Sequence, residues 1–289
     1  MNATPMNATP MTADPTFNGL TTSSDVDSGT LDRPGDLRLV LSQIRFEQRA
    51  FWRNRSRAFF SIGFPLVFLV VFNAINGNHR ISELGGISYA TWFVPGILAY
   101  GLIMATFMNI AVSTAIARDT GILKRIRGTA LPPWVFLAGR IGSTLVTAAV
   151  LVGVTLALGV GAYGVTIPTS TLPGLVLTIV VGTICFTSLG LAITCVIPNA
   201  DAAPAVVNLL ILPLTFISGI WMVLSDAPVW LDTTAKIFPV RALAHGLQLA
   251  FDPTTTGMGI YWRGLAVLAA WAVGGLVVCI RWFRWEPKR

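Results

Sequence analysis

The residues best suited to a specific interaction form one compact group in which cations alternate with aliphatic side chains. Glycines at positions 121 and 128 bound most of this group, and the pair Pro132-Pro133 ends the segment. The spacing predicts a short helix between the two glycines. Its aliphatic residues would form a small apolar face beside the cations, an arrangement suited to docking on a soluble subunit. The group consists of Arg118, Ile122, Leu123, Lys124, Arg125, Ile126 and Arg127.

Residue types that support catalysis or metal binding are sparse. The three cysteines lie in apolar stretches without C-x-x-C spacing, and His79 and His245 are far apart. The cysteines are therefore interpreted as small packing residues, and no metal site is expected. The chain contains no G-x-x-x-x-G-K-[ST] segment, G-x-S-x-G or H-E-x-x-H. We expect no enzyme activity, no cofactor bound by this chain and no ATP hydrolysis through a phosphate-binding loop.

The elements that must position these residues are membrane helices. Residues 141–200 contain no Asp, Glu, Lys or Arg, and charged residues make up 11% of the chain. Soluble domains carry roughly 25%. Because a helix needs about 20 apolar residues to cross a bilayer, the pattern predicts an all-α, polytopic membrane protein. Six spans are predicted within a transmembrane domain at 58–283, at about residues 58–75, 89–117, 134–163, 172–197, 204–224 and 262–282.

The distribution of Lys and Arg predicts the sidedness of these spans. Fifteen of these residues fall before span one, between spans two and three or after span six, whereas four fall on the alternate side. Positive residues favour the cytoplasmic side, so both termini are predicted in the cytoplasm of a multi-pass plasma-membrane protein. Because the basic residues flank apolar helices, nucleic-acid binding is not expected.

The segments outside the spans have distinct compositions. Residues 1–35 are rich in Thr, Ser, Asp and Gly and are predicted to be a disordered cytoplasmic tail, while 284–289 form a basic cytoplasmic tail. Residues 36–57 predict an amphipathic helix at the membrane surface, either a plain positive anchor or a contact for a cytoplasmic partner. The loop after span five is too apolar for solvent and predicts re-entrant helices at the outer leaflet.

Arg140 is the one basic residue well inside a predicted span, since Arg263 and Arg281 lie at the two ends of span six. It lies near the cytoplasmic end of span three, and its side chain has two interpretations. Its side chain extends to the lipid headgroups, or it faces a polar cavity or a partner chain.

Three segments together resemble the permease subunits of type-2 ABC exporters, which include daunorubicin-resistance-like drug exporters and exporters of lipids and polysaccharides. Residues 121–140 resemble the family's cytoplasmic stretch before span three, although Thr129-Ala130-Leu131-Pro132 stands where the family usually has Thr-Pro. Residues 216–231 resemble the end of span five with the loop that follows. Residues 238–247 resemble the segment before the last span.

The resemblance implies a partner set and a mechanism. It implies two permease chains, identical or different, with two cytoplasmic ABC ATPase subunits that bind ATP and Mg²⁺. The helix before span one and the group from Arg118 to Arg127 would contact the ATPase. The cargo would be hydrophobic or amphipathic, with a drug or antibiotic the first expectation and a lipid or glycan the next. It would follow spans two and five, past Phe107, Phe216 and Trp221.

Two other functions stay open. An ion-gradient-driven transporter would place ionisable residues at the middle of the membrane, and apart from Arg140 the six predicted spans carry almost none. A structural membrane subunit is also compatible with the sequence.

Overall fold

The computed structural model describes residues 36–76, 79–82, 86–128, 131–222 and 228–282. The two predicted tails, at 1–35 and 284–289, lie outside these residues. The helices, in chain order, are α1 (Asp36–Arg53), α2 (Arg55–Ala58), α3 (Phe64–Asn76), α4 (Tyr89–Ile103), α5 (Asn109–Asp119), α6 (Ile122–Arg127), α7 (Pro133–Tyr163), α8 (Leu172–Ile193), α9 (Ala203–Phe216), α10 (Val229–Ala235), α11 (Pro239–Phe251) and α12 (Trp262–Trp282).

Short elements connect these helices. A π-helical turn at Phe59–Gly63 joins α2 to α3, and another at Met104–Met108 joins α4 to α5, so that each pair forms one long helix. A minimal antiparallel ribbon, β1 (Arg80–Ile81) with β2 (Ile87–Ser88), pairs Arg80 with Ser88 and Ile81 with Ile87. A single 3₁₀ turn at Thr169–Thr171 precedes α8.

Five helices in the described chain are long and apolar enough to cross a membrane. They are Arg55–Asn76, Tyr89–Asp119, Trp134–Tyr163, Thr169–Ile193 and Trp262–Trp282. They coincide with five of the six predicted spans, and they support an all-α polytopic fold. Local sequence explains the bounds of α7, the longest continuous α-helix in the described chain. Pro133 occupies its first turn, where the missing N–H costs nothing, and Gly164 ends it with a φ of 63°.

The predicted fifth span differs from the helix that forms there. α9 has 14 residues and ends at Phe216, so its length is about 21 Å, less than the roughly 30 Å of a bilayer core. Beyond α9 the chain turns, with Gly219 at a φ of 80°, and the predicted end of the span at 223–224 lies outside the described residues. The count of six spans stays a prediction.

The second predicted span forms the centre of the fold. In its most apolar window, 89% of residues are buried inside the protein, against 28% for the spans that contain α3, α7 and α12. α4 contacts α3, α7, α8 and α11. The other three spans therefore keep an apolar face directed outward, which is what a lipid solvent requires.

Candidate coupling surface and membrane pocket

The predicted short helix between the glycines is present as α6. Gly121, in the left-handed region with a φ of 73°, lets the chain turn away from α5, and Gly128 caps the other end. Leu123 is completely buried in a cluster with Ala117 and Phe136, which fixes α6 to the ends of α5 and α7. The opposite side of α6 exposes Ile122, Lys124, Arg125 and Arg127, with Ile126 partly buried. We call these five residues the α6 surface.

Arg118 lies apart from this surface. Only 2% of the residue is exposed. Its guanidinium donates to the carbonyls of Thr194 (2.9 Å), Ile197 (3.1 Å) and Pro198 (3.2 Å). These groups lie at and after the end of α8, where backbone carbonyls lack partners within the helix. Arg118 can therefore act on a docked partner only through the backbone that it holds.

Asp119 completes this contact. Its Oδ1 pairs with Arg118 Nε at 3.2 Å, and its Oδ2 accepts a hydrogen bond from the N–H of Ala200 at 2.6 Å. We call Arg118 and Asp119, with residues 194–200, the Arg118 anchor. It joins the end of α5, directly before α6, to the turn between α8 and α9. The segment that leads into α6 is thus hydrogen-bonded directly to the turn between α8 and α9.

Arg140 is also buried, with 6% of the residue exposed. Its Nε lies 3.2 Å from Glu47 Oε1, its Nη1 donates to Ser113 Oγ at 3.0 Å, and its guanidinium lies 5.3 Å from the ring centroid of Phe136. The interpretation that Arg140 extends to the headgroups is therefore wrong, because its charge is satisfied inside the protein by α1. We call Arg140, Glu47 and Ser113 the Arg140 anchor.

The predicted amphipathic helix α1 packs along α7. Gln48 Nε2 donates to the carbonyl (2.6 Å) and Oγ (3.0 Å) of Ser143 and to Thr147 Oγ1 (3.0 Å). A Cβ added at Gly139 would lie 2.2 Å from Gln43 Cγ, so glycine permits this close approach. The side of α1 turned away from α7 exposes Leu37, Leu41 and Trp52 beside Arg38, Arg45 and Arg49.

A pocket of about 510 Å³ lies between the helices of the first two predicted spans and α9. Its polar end includes Asn54, Ser56, Arg57 and Asn109. Its apolar wall includes Phe60, Phe64, Tyr100, Met104 and Met108. Each of the two π-helical turns contributes to this wall, and π turns are frequent at functional sites. We call this cavity the α2–α5 pocket.

The sequence model of the ABC-2 type transporter family matches residues 38–251. The chain belongs to the ABC-2 type transporter family. It is also 23% identical over 190 residues to proteins named inner membrane transport permease YadH, from Escherichia coli strain K12 and from Shigella flexneri. The match covers 65% of this chain and 73% of each of those proteins. This identifies the chain as a type-2 ABC permease, a multi-pass membrane protein of a family whose partners are ABC ATPases.

The ABC-2 match includes α1 from Arg38 onward, α6 and all the helices that form the α2–α5 pocket. It ends at Phe251, the last residue of α11. Both anchors and the α6 surface therefore lie inside the region that defines the family.

Two of the three predicted substrate-path residues lie together in this permease. The ring centroids of Phe216 and Trp221 are 6.4 Å apart, and Trp221 also contacts Tyr100 (5.1 Å) and Phe68 (5.5 Å). Phe107 lies elsewhere. It is 5% exposed, and its backbone packs against Gly190 of α8. The predicted path residues therefore do not form one continuous surface.

A row of phenylalanines that the prediction missed connects the pocket to Trp221. Phe60, Phe64, Phe68 and Phe72 follow one another at four-residue spacing, with ring centroids 4.8–6.0 Å apart. The first two line the pocket, and the last two contact Trp221. The i, i+4 spacing was visible in the sequence, although lipid-facing helices show it too.

The loop after α9 contains two helices, and the second, α11, contacts the turn that follows α9. Arg241 Nη1 donates to the Ser218 carbonyl at 2.9 Å, and Gln248 Nε2 donates to the Gly219 carbonyl at 3.0 Å. α11 packs against α4 and α8, so one face is shielded, as re-entrant helices require. That they are re-entrant stays a prediction.

Charged groups on these two helices interact locally. A hydrogen bond from the Lys236 ammonium lowers the pKa of Asp232, and Arg241 Nη2 lies 3.6 Å from the same carboxylate. Burial lowers the pKa of His245, and the positive charge of Arg241 lowers it further. Within the described ranges, no three His, Cys, Asp or Glu side chains are grouped so as to hold a metal ion.

Proposed function

We propose that this chain is the transmembrane permease subunit of an ATP-driven exporter. It would move a hydrophobic or amphipathic cargo, with a drug or antibiotic as the first expectation, across the cytoplasmic membrane. A lipid or glycan is the next expectation. Two separate ABC ATPase subunits would bind ATP and Mg²⁺, and a second permease chain would complete the complex. The observation that carries the proposal is the α6 surface, exposed on one side and fixed to the membrane domain on the other.

The composition of the α6 surface supports docking. Three exposed cations and exposed Ile122 lie on one helix of six residues. Charged rims steer and orient a partner, whereas a small apolar centre provides contact area. The exposed basic side of α1 is a second candidate contact for the same partner.

The anchors support transmission of movement. The Arg118 anchor joins α5 to the turn between α8 and α9, and the Arg140 anchor joins α1, α5 and α7. A rigid-body shift of α6 on ATP binding would therefore move several spans together. The row from Phe60 to Phe72, with Trp221, provides an aromatic route leading away from the α2–α5 pocket.

The test compares two pairs of charge removals in the complex with its ATPase. Lys124→Gln with Arg125→Gln removes two cations of the α6 surface, while Arg80→Gln with Arg263→Gln removes two cations on the predicted outer side. We expect the first variant to insert normally and to lower ATPase binding by about tenfold, because a hydrogen bond to a charged group contributes about 1.5–3 kcal/mol. Cargo-stimulated ATP hydrolysis in proteoliposomes should fall with it.

The control pair should behave like the unmodified chain. Equal losses in both variants would contradict docking at α6. Labelling that places Lys124 on the outer face would contradict the predicted orientation. Transport that continues without ATP and stops when the proton gradient collapses would support an ion-driven carrier instead.

A further inference from the structure

The α2–α5 pocket is chemically divided into a cationic end and an aromatic, methionine-rich wall. Arg57 is partly buried at the polar end, beside Asn54 and Ser56. The apolar wall contains Phe60 and Phe64 from the first predicted span and Met104 and Met108 from the second. Phe60 is 60% exposed in the isolated chain, so the pocket opens sideways, where lipid would surround the protein.

Arg57 has no ion-pair partner of its own among the described residues. Glu47, the acidic residue of this region, is engaged by Arg140 at 3.2 Å. Across the described residues, no carboxylate lies within ion-pair distance of the Arg57 guanidinium. The guanidinium of Arg57 at the pocket mouth is therefore left without a direct ion pair. Removing a cation from water without a partner is costly, and a bound anion would offset that cost.

A second polar residue, Asn109, adds an independent indication of a ligand. Asn109 lines the pocket with a buried side-chain oxygen that has no hydrogen-bond partner among the described residues. Its amide nitrogen donates a hydrogen bond to the Ala105 carbonyl at 3.3 Å. Methionine side chains adapt to ligands of different shape, and cavities of about 300–1,000 Å³ hold drug-sized molecules.

We propose that the α2–α5 pocket loads the cargo and that this cargo is an amphiphile with an anionic head group. The inference rests on the proposed export function and specifies its substrate class. Arg57 binds the head group by charge-assisted hydrogen bonds. The apolar body lies against Phe60, Phe64 and the methionines, and Asn109 accepts a hydrogen bond from a donor within it.

The test uses the complex with its ATPase in nanodiscs of phosphatidylcholine. A long-chain fatty acid carrying a diazirine in its chain is the anionic probe, and the alcohol of the same chain length is the neutral probe. After illumination, mass spectrometry maps the labelled residues. We expect the fatty acid to label residues 60–64 and 104–109.

Two arginine variants separate a specific site from general surface charge. Arg57→Gln should lower labelling by the fatty acid about tenfold, consistent with loss of a charge-assisted bond, and should leave labelling by the alcohol unchanged. Arg55→Gln is the matched control, because Arg55 is exposed two residues away and does not line this pocket. Equal losses in both variants, or labels mapped elsewhere, would overturn the proposal.

A nucleotide arm distinguishes a cargo from a resident lipid. If the pocket loads cargo, ATP with vanadate should empty it and lower labelling by the fatty acid. Labelling that nucleotide leaves unchanged would identify a resident anionic lipid and would overturn the cargo assignment. ATP hydrolysis by the same nanodiscs is measured separately. Its absence would count against the exporter itself, whereas normal hydrolysis with no pocket labelling would count only against this inference.

Discussion

Among the described residues, the buried arginines Arg118 and Arg140 lie near the predicted cytoplasmic ends of the second and third spans, but they make different kinds of contact. Arg118 holds three backbone carbonyls of one turn and pairs with the adjacent Asp119. Arg140 instead joins side chains from three helices, and its charge partner Glu47 belongs to α1. The Arg118 anchor is thus part of the membrane domain itself. The Arg140 anchor also attaches a helix that precedes the spans, and we expect the loss of Glu47 to affect that helix more than the spans.

The largest effect is expected at the Arg118 anchor. Arg118→Leu should lower the free energy of unfolding by about 3 kcal/mol or more, because several buried acceptors lose their donor at about 1–3 kcal/mol each. Thermal unfolding of the purified protein in detergent measures the loss. Arg118→Lys should recover only part of the stability, since an ammonium cannot reproduce the fork of the guanidinium. An unchanged unfolding temperature in both variants would contradict the anchor.

A smaller and more local effect is expected at the Arg140 anchor. Glu47→Gln should weaken the attachment of α1 by about 1–3 kcal/mol, because it leaves a buried cation without its counter-ion. Hydrogen exchange of residues 36–53 should accelerate while exchange in α6 stays the same. Arg45→Gln removes an exposed charge from the same helix and is the control. Acceleration in α6 as large as in α1 would show that the two anchors are not separable.

The packing of α1 on α7 provides a third test of the same distinction. Gly139→Ala should destabilise the α1 attachment by about 1–2 kcal/mol through overpacking, since the new Cβ would meet Gln43. Gly153→Ala, on the same helix, meets no atom within 4 Å and should be neutral or slightly stabilising. Hydrogen exchange of α1 measures both. Equal behaviour of the two alanine variants would contradict the close contact.

The smallest effect is expected when pH changes. The contacts of both anchors should stay intact, because neither anchor contains a histidine. The pKa of His245 is lowered in the folded protein. At pH values below about 6.5, the ordinary pKa of histidine, the unfolded chain therefore binds more protons than the folded protein does. The stability that neutral His245 contributes to the folded protein is fully present above that pH and is lost as pH falls through the folded pKa. His245→Phe should reduce the fall in unfolding temperature on acidification, and His79→Phe should not. An identical pH dependence in both variants would contradict this assignment.

The sequence predicted elements whose signals are local. The uncharged run at 141–200, broken near Pro168 and Pro173, located α7 and α8, and Gly121 with Gly128 located α6. The function of Arg118 could not be predicted, because its acceptors are backbone carbonyls that follow it by 76–80 residues. Every residue has a backbone carbonyl, so the residue types at 194–198 do not indicate that these carbonyls accept hydrogen bonds from an arginine.

Two further differences between prediction and structure, the pairing of Glu47 and the end of α9, have separate physical causes. Glu47 offered a weak signal, as the only acid between residues 37 and 82, but its partner could not be deduced without the packing of α1. The apolar pattern after Phe216 continued, whereas the helix did not, because a turn with Gly219 at positive φ replaces it. Hydropathy measures the preference for lipid and carries little information about where a helix ends.

The π-helical turn at Phe59–Gly63 has a consequence for how Arg57 and the phenylalanine row are aligned. A π turn holds one residue more than the α-helix around it, and each residue of an α-helix advances the side chains by about 100°. Deleting Ser61 would therefore remove the surplus residue and keep the present alignment, whereas a plain α-helix of the same residues would rotate the Arg57 end against Phe64 and Phe68 by roughly that angle. The guanidinium and the aromatic row would then point in different directions around the helix axis. The π turn, by absorbing one surplus residue, keeps the charged and the aromatic parts of the first span aligned.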